Sequence, residues 1–76
     1  MTKHALNLSL TLSRSEWVSV KIYNLLGLEI AALVNKNLTW GEHTMTWETR
    51  NISTGYYTIR MQTGSNSYAK RILISR

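Results

Sequence analysis

Apolar and polar residues alternate with period two along most of the chain, the signature of strands with one buried face. Leu6, Leu8, Leu10 and Leu12 alternate with Asn7, Ser9 and Thr11 in a first strand. In a second, Val18, Val20 and Ile22 face one way, and Trp17, Ser19, Lys21 and Tyr23 the other. Asn24-Leu25-Leu26-Gly27 reads as a tight turn, because glycine reaches positive φ without steric cost. The next segment, Leu28 to Val34, also fits a short helix with Leu26, Ile30 and Leu33 on one side, but its flanking turns and neighbouring strands favour a strand. Asn35-Lys36-Asn37 is polar and loop-like.

Gly41 opens a fourth strand, in which His43, Met45 and Trp47 take the inward phase against Thr44, Thr46 and Glu48. Asn51 to Gly55 connects it to a fifth, where Tyr57, Ile59 and Met61 alternate with Thr58, Arg60 and Gln62. Thr63-Gly64-Ser65-Asn66 predicts a hairpin turn, and Ser67 to Ile74 returns as the last strand. This spacing predicts an all-β fold: a small immunoglobulin-like antiparallel β-sandwich of six to seven short strands, in a single domain over residues 1–76.

Composition narrows what such a sandwich can be. A chain of 76 residues buries only about 60–65% of its unfolded surface, which leaves little room for a second lobe and a cleft between lobes. It has no cysteine, so neither a disulfide framework nor a thiolate metal site supports it. Nine Lys and Arg face four Glu and no Asp, a net charge of +5. Arg60, Lys70, Arg71 and Arg76 close the chain with no acid among them. Such a basic end could meet nucleic acid, an anionic lipid headgroup or an acidic receptor groove, but composition alone favours a solvated, solubilising edge. No apolar run approaches the roughly 20 residues that span a bilayer. The opening MTKHALNLSL lacks the unbroken apolar core and small-residue cleavage site of a signal peptide. That leaves a cytosolic chain or a piece excised from a larger protein.

Catalytic constellations are not legible. Glu16, Glu29, Glu42 and Glu48 fall at strand ends or on polar faces, with no two expected to converge as an acid–base pair. His4 and His43 are the only imidazoles and have no Asp or Cys to complete a ligand set. His43, on its strand's inward phase, reads as a hydrogen-bonded core or rim residue. The serines form no nucleophile elbow, and the glycines are too scattered to cradle a phosphate. The chain is therefore read as a non-enzyme with no cofactor and no metal. Trp17, Tyr23, Trp40 and Tyr56 could form a sugar-stacking platform if coplanar and exposed, whereas Trp47 belongs in the core by its phase.

The order of local motifs resembles the C-terminal sorting domain (type A) of the bacterial type IX secretion system, over nearly the whole chain from about Leu6 onward. That family shows a strand ending in Tyr-Asn or Tyr-Asp and a Gly-containing turn, matched by Tyr23, Asn24 and Gly27. A Gly-x-His-x-x-x-Trp strand follows, matched by Gly41, His43 and Trp47, and then an apolar-Ser-Gly-Tyr connection, matched by Ile52, Ser53, Gly55, Tyr56 and Tyr57. A basic apolar strand ends the family pattern, matched by Lys70, Arg71, Ile72, Leu73, Ile74 and Arg76. The family's usual Asn-Pro-Phe opening is missing, since the chain has no Pro and no Phe. Part of the pattern is shared with the immunoglobulin-like domain of flagellar hook-capping proteins, where Asp-Gly commonly follows the Trp. Here Glu48-Thr49 follows Trp47.

The resemblance implies a secretion signal without catalysis. An attached cargo would cross the periplasm and reach the cell surface, or be secreted, through the type IX outer-membrane translocon with its shuttle or sortase components. No nucleic acid and no transmembrane segment are implied. Lys70, Arg71 and Arg76 would steer the docking and Ile72, Leu73 and Ile74 supply apolar contact, unless Ile72 and Ile74 simply complete the core. The other readings are a carbohydrate-binding module and a purely structural immunoglobulin-like domain appended to a secreted enzyme.

Overall fold

The computed structural model describes residues 5–75; His4 and Arg76 lie outside them. Six strands follow one another: β1 (Ala5–Leu12), β2 (Glu16–Tyr23), β3 (Glu29–Leu38), β4 (Gly41–Glu48), β5 (Gly55–Thr63) and β6 (Ser67–Ile74). They form two antiparallel sheets, a ribbon of β1 and β4 and a four-stranded sheet in the order β3-β2-β5-β6. The fold is the small all-β immunoglobulin-like sandwich that the alternation predicts.

Register explains the burial. Across the ribbon Leu6 faces Trp47, Leu8 faces Met45 and Leu10 faces His43, so one side of the ribbon is apolar. In the large sheet Val20 pairs with Met61 and Ile22 with Ile59. Directly opposed residues of an antiparallel pair share a face, so these side chains line the inner surface. Val18, Val20 and Ile22 are fully buried, with Leu12, Trp47, Tyr57 and Ile59 around them. Burying each large side chain contributes about 1.5–3 kcal/mol, and the sequence has no cysteine through which a disulfide could share that task.

Ser19 breaks the simple alternation. It lies on the outer face of β2 yet is buried, between its partners Asn35 on β3 and Gln62 on β5.

The third segment differs from its sequence reading. It is a strand, but it runs to Leu38 and takes in Asn35, Lys36 and Asn37, which the polar composition assigned to a loop. Pairing accounts for the difference. Asn35 sits opposite Ser19, Lys36 opposite Val18 and Asn37 opposite Trp17, so β2 offers a complete hydrogen-bonding partner to a polar stretch at the sheet edge. An edge strand needs only one neighbour and tolerates exposed polar side chains on both faces.

Candidate functional site

The motif residues largely build the fold. Asn24 opens the β2–β3 turn, where its Oδ1 accepts from the backbone N–H of Leu26 at 2.9 Å and of Leu28 at 3.1 Å. Its backbone carbonyl accepts from Gly27 N at 3.0 Å. Gly27 closes the turn at φ +84°, in the left-handed region where other residues are strained. Gly41 enters β4 at φ +113°. His43 Nε2 donates to the Thr39 carbonyl at 2.7 Å, which ties β4 to the preceding turn. A carbonyl only accepts, so this geometry places the proton on Nε2. His43 is thus a hydrogen-bonded rim residue.

Trp47 and Tyr57 join the two sheets. Their ring centroids lie 5.8 Å apart at an interplanar angle of 74°, an edge-to-face contact. The Tyr57 hydroxyl donates to the Ser53 carbonyl at 2.6 Å and fixes the β4–β5 connection. Gly55-Tyr56-Tyr57 therefore splits by phase: Tyr57 enters the core and Tyr56 faces outward, 48% exposed.

β6 places its residues on two faces. Ile72 pairs with Tyr57 and Ile74 with Gly55, so both point inward, and both pack against the core. Arg71 pairs with Thr58 and Leu73 with Tyr56 on the outer face, where both are exposed. Lys70, opposite the buried Ile59, shares the inward phase but is exposed. Tyr68, two residues before it in the same phase, is exposed as well, so the inner face of β6 is covered at its Ile72–Ile74 end and open at its start. The structure thus separates Lys70 from Arg71, and Leu73 from Ile72 and Ile74.

β6 is also an edge. Its register to β5 runs without interruption from Gly55↔Ile74 to Gln62↔Ser67. The opposite edge, β3, is broken twice by register shifts against β2. Irregularities of this kind twist an edge away from further pairing. The regular edge is therefore the one that carries Lys70, Arg71 and Leu73.

The exposed aromatics do not gather in one place. Trp17 and Tyr23 stand at opposite ends of β2, roughly 20 Å apart at about 3.3 Å per residue. Trp40 lies in the β3–β4 turn, at the Trp17 end. Tyr23 and Tyr56 share the other end, each with an arginine over its ring: Arg60 at 5.8 Å from the Tyr23 centroid and Arg71 at 5.8 Å from that of Tyr56.

Beside them is a cleft the sequence reading did not single out. Tyr23, Asn24, Leu25, Thr58, Arg60 and Arg71 line about 420 Å³ between the β2–β3 turn and the outer face of the sheet. Its signal in the sequence was the shared outward phase of Tyr23 and Arg60, which becomes a site only once the pairing of β2, β5 and β6 is known. Among the described residues no group of three or more His, Asp or Glu could hold a metal ion, and no helix is long and apolar enough to cross a membrane.

Comparison with known families gives a match over residues 2–75 to the model described as a secretion system C-terminal sorting domain. No curated protein and no solved structure matches the chain.

Proposed function

The chain belongs to the family of type IX secretion system C-terminal sorting domains, and on that premise we propose that it carries an attached cargo across the outer membrane to the cell surface, with β6 as the strand the machinery reads. A domain of this family is a sorting signal, with the type IX secretion system and a cargo as its partners. Its own part in export is recognition without catalysis. The cargo enters the periplasm by its own leader and presents the folded sandwich to the outer-membrane translocon and its shuttle or sortase components.

The observation that supports β6 is its position as a regular, unbulged sheet edge bearing exposed cations. Such an edge offers backbone N–H and C=O groups in strand register to a receptor strand, the geometry of β-augmentation. Lys70 and Arg71 project to opposite sides of that edge and steer an acidic groove from both faces. Arg76, beyond the described residues, adds a further positive charge close by in sequence. Leu73 supplies apolar contact, while Ile72 and Ile74 hold the strand to the core.

The test is a periplasmic reporter carrying the chain at its carboxyl end, expressed in a host with type IX machinery. The native fusion reaches the surface or medium. The Lys70→Glu, Arg71→Glu double variant stays in the periplasm with an unchanged melting temperature, because exposed substitutions change stability by only about 0.5 kcal/mol. Normal export of the folded double variant would show these charges to be ordinary solvated surface.

A further inference from the structure

We infer that the outer face of the large sheet carries a second recognition site, the cleft between Arg60, Arg71 and the β2–β3 turn, and that it takes a carboxylate side chain from an acidic peptide segment of a protein partner. The charge arrangement there is one that folding does not ask for. Lys21 sits directly opposite Arg60 across β2 and β5, and like charges so placed repel. Arg71 is diagonal to Arg60, because Arg60 pairs with Ala69 two residues before it; such diagonal neighbours are about 7–8 Å apart. Lys21 is relieved by Glu29 at 3.5 Å. Neither Arg60 nor Arg71 has a carboxylate partner among the described residues.

Both guanidinium groups are instead held by aromatic rings, Arg60 by Tyr23 and Arg71 by Tyr56. A ring beside a guanidinium holds its charge in place without supplying acceptor oxygens for its N–H groups. Two such guanidinium groups lining one cleft suit a carboxylate, whose two oxygens accept from donors of this kind. The partner's form follows from the surroundings. The site is concave, which receives a side chain and not a planar bilayer. Leu25 lines its wall and is 70% exposed, and Leu26 beside it is 83% exposed. An apolar side chain next to the carboxylate would cover them, which a free phosphate would not. The occupant is accordingly a peptide with an acidic residue flanked by an apolar one.

This inference stands apart from the sorting reading, because binding is measured on the isolated chain. The isotopically labelled chain is titrated with a short blocked peptide holding a leucine between two glutamates, then with its glutamine counterpart, inorganic phosphate and phosphatidylglycerol vesicles. The glutamate peptide is expected to shift the amides of Tyr23, Thr58 and Arg71. The glutamine peptide and the Arg60→Gln, Arg71→Gln variant should each weaken binding by about tenfold or more, and added salt should weaken it as well. Melting of the variant checks its fold; if it unfolds, the shift map on the native chain decides. Absent binding, shifts confined to other faces, equal binding of the glutamine peptide, undiminished binding by a folded variant, or tighter binding of phosphate or vesicles would each overturn the inference. Failed binding with intact export would spare the sorting reading, and intact binding with failed export would spare the cleft.

Discussion

Trp47 and Tyr57 do at the residue scale what a disulfide does in many small secreted domains: they hold one layer to the other. Trp47 is 4% exposed and meets Tyr57 edge to face. Trp47→Ala should therefore cost about 3–5 kcal/mol, as for other buried aromatics, a large part of the stability of so small a domain. Denaturant unfolding measures it, and an unchanged midpoint would mean that the ring does not bridge the sheets. Tyr57→Phe keeps the ring and removes only the hydroxyl that donates to Ser53. It should cost about 0.5–1.5 kcal/mol in the same measurement, and a loss as large as that of Trp47→Ala would show the hydroxyl to hold more than the connection. The inward phase of both residues was legible from alternation alone. The Ser53 contact was not, because it depends on how the β4–β5 connection folds back on its own strand.

The turns set the register of the strands, and their chemistry is local enough to be read from sequence. Asn24 and Gly27 illustrate it: the amide side chain accepts two backbone N–H groups, and the glycine takes the φ that closes the reversal. A Cβ added at Gly27 meets nothing within 4 Å, so the cost of Gly27→Ala is conformational rather than steric. The expected loss is about 1–2 kcal/mol, read as a lower melting temperature without loss of the folded spectrum; a neutral result would mean that the turn has another route. β3 shows where such reading stops. Asn35-Lys36-Asn37 is polar enough for a loop, and only the presence of β2 beside it makes it a strand. Its length is a property of the pair, which no window of one strand contains.

At the scale of the whole molecule, the unequal sheets decide what is available for recognition. Two strands cannot cover four along their whole length, and on β6 the cover reaches Ile72 and Ile74 but leaves Lys70 and Tyr68, in the same phase, exposed. Alternation had allowed Ile72 and Ile74 to be either core or contact, and pairing with Tyr57 and Gly55 places them inward. The Arg60–Arg71 cleft was out of reach for the same reason, since it joins three strands across two register relations. Most motif residues of the sorting family thus serve the sandwich, and the surface left over is cationic. Nothing in the described residues neutralises Arg60 or Arg71. On the proposals made above, the domain is a folded address, with stability in the motif and recognition on the uncovered edge and face. Its most direct test is the fraction of an otherwise periplasmic reporter, fused ahead of residues 1–76, that reaches the cell exterior in paired hosts with and without type IX machinery. The account predicts export only where the machinery is present; equal distribution in the two hosts, with the fusion intact and folded, would contradict it.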